Sequence, residues 1–210
     1  DVYKRQARRC RHDDGRGSAG PRTPPDGWAQ IAAWTAAKKP KKRPKKKKTK
    51  KEDEETAEAA VEFAIDKVGS EGGTQNLVFF GRSIGSAVAL KMASIYDVDG
   101  VIIEAPFTST LALAKIHYPY VPEFLVKLFI RARYDSDTVA GTLNSPLMVI
   151  HGTNDSIVPI EMGERIYDLA DVKKYFYSVE GADHNNTHLI AGESYFENIR
   201  ANLQAFMENP

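Results

Sequence analysis

A serine hydroxyl is a poor nucleophile until it is held in the open beside a base, and Ser83 of this 210-residue chain sits where that is possible. It is the centre of Gly81-Arg82-Ser83-Ile84-Gly85, preceded by the apolar run Leu77 to Phe80 and followed by SAVALKMAS. The run reads as a strand and the following segment as a helix, so the pentapeptide spans a sharp strand-to-helix turn that lifts Ser83 above the sheet edge. Gly81 and Gly85 are expected to be small because side chains there would collide with the neighbouring strand and helix. The helix N-terminus directs backbone N–H groups toward developing negative charge, and the amide of Ile84 is the expected first oxyanion donor.

Such a nucleophile needs a base, and the base a carboxylate to orient it. Asp155 follows the apolar run LMVI within HGTNDSIVP, and His184 follows YFYSVE within EGADHNN. Each lies where a strand ends. Three residues at the exits of three parallel strands converge on one sheet edge despite their separation in sequence, with Asp155 fixing the tautomer of His184. The rivals fit less well. Asp183 is adjacent to His184 and suits loop capping; His188 lies beyond the strand exit; His151 ends a strand and is placed to hold the Asp155 loop; His117 belongs to a different segment. There is no HExxH or CxxC pattern, so neither a metal site nor a cofactor is expected.

The elements that must position these groups alternate. Residues 52–68 carry Ala57, Ala60, Val61, Ala64, Ile65 and Val68 at helical spacing behind an acidic first turn, and a helix ending at the glycines of GSEGG is expected. LVFF (Leu77 to Phe80), VDGVIIEA, LMVIH (Leu147 to His151) and KKYFYSVE read as buried strands, separated by helical SIGSAVALKMASIY and IEMGERIYDLA, with GESYFENIRANLQAFM as a closing helix. The expected fold class is α/β, a mostly parallel sheet with helices on both faces. Residues 107–145 interrupt the alternation with an aromatic stretch marked by Pro119 and Pro122, read either as a lid over the site or as a peripheral helix pair.

Charge divides the chain in two. Through Lys51 there are 18 Lys and Arg against 4 Asp and Glu, and from Glu52 onward 11 against 24, so the net charge of +1 is a cancellation. Residues 1–51 end in KKPKKRPKKKKTKK and are expected to be a disordered basic leader, with two readings open. One is a solvated tail without a role, or sequence foreign to the native chain; the other is a tether to nucleic acid or an anionic surface. Residues 52–210 are the expected catalytic unit, whose acidic balance gives it no electrostatic grip on polyanions. Cys10 has no partner for a disulfide, which fits a reducing compartment, and no stretch approaches a membrane span or a signal-peptide core. An intracellular location is expected, cytoplasmic or membrane-associated through an upstream segment.

Taken together, GRSIGSAVA, IIEAPFTS, LMVIHGTNDSIVP and EGADHNN resemble the α/β-hydrolase-domain serine hydrolases, in particular the intracellular branch of depalmitoylases and lysophospholipid or acylglycerol lipases. The resemblance covers roughly residues 54–207, with Ser86 standing where relatives commonly have glycine. It implies hydrolysis of a small acyl ester or thioester through an acyl-enzyme on Ser83, with serine peptidase-like amide hydrolysis as a close variant. Relatives carry about four further strands upstream, where a second oxyanion donor and part of the acyl pocket reside; no second donor is recognisable here. That departure implies a sheet lacking its N-terminal part and weak activity, since one lost oxyanion donor costs ~100 to 1000-fold in rate. A non-catalytic binding protein on the same fold is the alternative.

Overall fold

The computed structural model describes residues 50–70, 76–130 and 133–208. The expected disorder of residues 1–51 therefore falls outside the described residues, except for Lys50 and Lys51, which open the first helix. That helix, α1 (Lys50–Ser70), contains the expected 52–68 segment. Its apolar stripe is narrower than the sequence spacing suggests. Val61 is buried and Ala57 and Ala64 partly so, whereas Ala60 and Ile65 are exposed, as α1 packs along α2 (Ile84–Ala93).

Four parallel strands follow in sequential order: β1 (Val78–Arg82), β2 (Gly100–Glu104), β3 (Leu147–Gly152) and β4 (Lys174–Val179). Side chains alternate across a strand, so a strand covered on both faces must be apolar at every position. β2 and β3 obey this until their C-terminal ends, where the buried residues Glu104 and His151 are polar. Val101, Ile103, Leu147 and Val149 pack beneath α2 and α6 (Ile160–Leu169), while Ile102, Met148 and Ile150 pack against Tyr195, Ile199 and Phe206 of α8 (Glu193–Glu208). The uniform apolar runs in the sequence are thus two half-patterns superimposed.

β1 departs from the fully buried strand expected of LVFF. It pairs only with β2 among the described residues, leaving Leu77, Val78 and Phe79 half-buried and Phe80 exposed. Residues 107–145 form three short helices, α3 (Thr110–His117), α4 (Glu123–Phe129) and α5 (Ser136–Ala140). α3 has no buried residue, yet Ala112 and Leu113 lean on a cluster of Ala87, Phe107, Tyr134, Val158 and Met162 that joins α2 to the start of α6. Tyr118, Tyr120, Phe124 and Leu128 stay exposed. His117 Nε2 donates to the Ile157 carbonyl at 2.7 Å, so the segment reaches the loop that carries Asp155. The last element, α7 (Thr187–Ala191), precedes α8.

Candidate active site

Ser83 stands between β1 and α2 with φ 52° and ψ −118°, a left-sided conformation that a residue with a Cβ adopts only where its surroundings impose it. Three bonds impose it here. The Ser83 N–H donates to the Glu104 carbonyl at 2.9 Å, and the single proton of the Ser86 hydroxyl is shared between the carbonyls of Glu104 (2.9 Å) and Gly81 (3.1 Å). Ser86 thereby fastens the first turn of α2 to two strands. Ile84 is the first residue of α2, and its N–H has no acceptor within the helix.

The glycines of the turn behave differently from one another. A Cβ at Gly81 would overlap the Gly85 carbonyl and come within 2.7 Å of Ala89 Cβ, whereas a Cβ at Gly85 meets nothing within 4 Å among the described residues. The collision expected at Gly85 is therefore absent among the described residues. Gly81→Ala is expected to cost about 1–3 kcal/mol by overpacking and to misplace Ser83, while Gly85→Ala leaves stability within about 0.5 kcal/mol. Thermal melts of the two variants check this.

At the far edge of the sheet β4 ends at Val179 and the chain turns through Gly181 to His184. His184 Nδ1 lies 2.7 Å from Asp155 Oδ2 and Nε2 lies 3.1 Å from Ser83 Oγ. A carboxylate only accepts, so Nδ1 carries the proton and Nε2 is left to accept from the Ser83 hydroxyl. Asp155 and His184 are both buried, which strengthens the pair electrostatically. The other carboxylate oxygen, Asp155 Oδ1, accepts from the backbone N–H groups of Ile157 (2.9 Å) and Val158 (2.8 Å). Burial alone would raise the Asp155 carboxyl, but bonds from His151, His184, Val158 and Ile157 outweigh it and hold the group well below the ordinary carboxylate range.

His151 is fully buried behind Asp155. Its Nε2 donates to the Val158 carbonyl at 2.9 Å and lies 3.5 Å from Asp155 Oδ2, so it braces the loop as its strand-end position suggested. Asp183 caps the same region: its Oδ1 accepts from the backbone and hydroxyl of Ser156 and from the His184 N–H, contacts that lower its carboxyl. His188 is exposed on α7 and meets Tyr195 edge-on, away from the Ser83 contact. Among the described residues no group of three or more His, Cys, Asp or Glu is placed to hold a metal ion, and no helix is long and apolar enough to cross a membrane.

A second polar cluster escaped the sequence reading. Glu104, 3% exposed, ends β2; its Oε2 accepts from the Tyr195 hydroxyl at 2.8 Å, and its Oε1 accepts from Thr187 Oγ1 and lies 3.3 Å from Arg82 Nε. Burial, the Glu104 charge and the bond to it together push the Tyr195 phenol above its usual range. The signal was present in sequence: a carboxylate closing the apolar run VIIE must find a partner if the strand is buried.

No protein-family model matches the chain. The monoacylglycerol lipase of Paleococcus ferrophilus superimposes with a TM-score of 0.54 at 19% identity, over 76% of each chain. The fold is the α/β-hydrolase fold. Among curated proteins, an uncharacterised protein of Mycobacterium tuberculosis is 31% identical over 124 residues, 59% of this chain and 43% of that protein. Alpha/beta hydrolase domain-containing protein 17C of Mus musculus is 29% identical over 126 residues, 60% of this chain and 37% of that protein. The chain thus spans less than half the length of these curated relatives.

Proposed function

We propose that the protein is a serine hydrolase acting on a carboxylic ester or thioester. The observation that carries this reading is the unbroken chain from Ser83 Oγ through His184 Nε2 and Nδ1 to Asp155 Oδ2, with spacings of 3.1 and 2.7 Å. In the proposed reaction Ser83 Oγ attacks the acyl carbon as His184 Nε2 takes its proton, and the imidazolium is stabilised by Asp155. The Ile84 N–H faces the oxygen on which charge develops. His184 then returns the proton to the leaving group, and a water deprotonated by the same nitrogen releases the acid from Ser83. The lipase among the structural neighbours and the exposed aromatic and aliphatic side chains of α3 and α4 support an apolar acyl group.

A fluorophosphonate probe tests the reading, because it reacts only with a serine already activated by its base. The expected result is one label per chain, mapped to the peptide bearing Ser83, with a burst of p-nitrophenol from p-nitrophenyl acetate as the acyl-enzyme fills. A folded protein that takes no label at Ser83 would sink the proposal.

A further inference from the structure

Ser83 and His184 follow β1 and β4, the two outermost of the four described strands. β1 and β4 are separated by two strands, about 14 Å at ordinary strand spacing, so their alignment to 3.1 Å requires something to set the approach of the His184 loop. The Asp155 contact fixes the ring from β3 but holds nothing to the turn that carries Ser83. Arg82 does. Its Nη2 donates both to the His184 carbonyl and to Asn185 Oδ1, the latter at 2.9 Å, while Nε lies 3.3 Å from Glu104 as an ion pair without the alignment of a hydrogen bond. Glu104 in turn holds Thr187, three residues beyond His184, and Tyr195 of α8. The backbone of the same Glu104 accepts from the Ser83 N–H.

We infer that Arg82 and Glu104 are positioning residues that clamp the His184 loop to the Ser83 turn and so set the distance between base and nucleophile. The inference rests on the hydrolase reading of the site. One residue, Glu104, binds the serine turn through its carbonyl and the histidine loop through its carboxylate, and Arg82 adjoins Ser83 in sequence while grasping the backbone of His184. The guanidinium fork suits this double task, since it presents several donors in a fixed plane; a flexible ammonium does not. Neither side chain contacts the reacting atoms.

A merely structural pair would serve only to neutralise a buried charge, and that role is separable. Arg82→Met leaves Glu104 unpaired, whereas Arg82→Met with Glu104→Gln removes both charges and relieves the penalty while still lacking the grip on His184. Measured on the full chain, both variants are expected to label at Ser83 with fluorophosphonate roughly 10 to 100-fold more slowly than the unmodified protein, with kcat lowered alike and KM within about twofold, as for a small displacement of reacting groups. The melting temperature of the double variant should return toward that of the unmodified protein. A double variant that recovers the labelling rate to within about twofold overturns the inference and leaves the hydrolase reading intact.

Should either Arg82 variant fail to fold, Asn185→Ala, at an exposed side chain, removes one of the two contacts; a fall in labelling rate supports the clamp and an unchanged rate overturns it. Should the unmodified protein take no label, the hydrolase reading fails by itself, and the clamp is read from the low-field proton resonance of the His184 ring. A resonance sharp in the unmodified protein and exchange-broadened in Arg82→Met supports it, and one equally sharp in both overturns it.

Discussion

Ser83→Ala is expected to lower kcat by roughly four to six orders of magnitude, and His184→Ala by a similar factor, with Ser83→Ala/His184→Ala no slower than either single variant. In the proposed mechanism the two side chains act as one unit. His184 Nε2 accepts from Ser83 Oγ and from no other described group, so without the hydroxyl the base has nothing to activate, and without the base the hydroxyl stays a weak nucleophile. Losses that multiplied in the double variant would show that the residues work independently and would overturn the mechanism. Ser83→Ala is a clean probe because it retains the Cβ and hence the strained backbone at φ 52°. Ser83→Gly lacks that cost, and relative to Ser83→Ala it should be about 1 kcal/mol more stable while equally inactive. Ser83 shares a positive φ only with Ala105 among the described non-glycine residues, and a pair of melting curves measures the cost at Ser83.

How much of this was legible in the sequence depended on whether a residue's role was local. Ser83, Asp155 and His184 were readable because each follows an apolar run that had to be a strand, and parallel strands bring their exits to one edge. β2 and β3 were readable because burial on both faces leaves an apolar run broken only near the strand ends, at Glu104 and His151. β1 was misjudged for a reason no local pattern contains: Val78 to Phe80 have a strand's composition, but burial depends on a neighbour that LVFF cannot specify. The collision expected at Gly85 is likewise absent among the described residues, where a Cβ meets only open space. The Arg82 and Glu104 cluster was illegible in its pairing, because it joins residues 102 and 91 positions apart through the register Arg82↔Glu104 and the return of α8. Only the oddity of a carboxylate at the end of VIIE pointed to it.

Asp155→Asn is expected to cost about 10⁴ in kcat while keeping the fold, and the hydrogen bonds at this residue say why. Oδ1 receives two backbone N–H groups, from Ile157 and Val158, so the amide oxygen of an asparagine must occupy that side; its NH2 would otherwise oppose two donors. The NH2 is thereby turned toward His184 Nδ1. That nitrogen becomes an acceptor, the ring proton moves to Nε2, and the nitrogen facing Ser83 can no longer take a proton. Asp155→Ala would lose the loop bonds as well and melt lower. Stability against pH separates the two functions of the carboxylate. Its folded-state value is held below the ordinary 3.8, so its contribution to stability is complete above about pH 5 and fades as the pH falls below 3.8 toward the lower folded value. Asp155→Asn has no such group to protonate, and its melting temperature should fall less steeply than that of the unmodified protein below pH 4. If the two acid limbs run parallel while activity is lost, the carboxylate orients His184 without anchoring the loop. If the limb flattens and activity persists, Asp155 is a structural cap and the proton on His184 is set by some other acceptor.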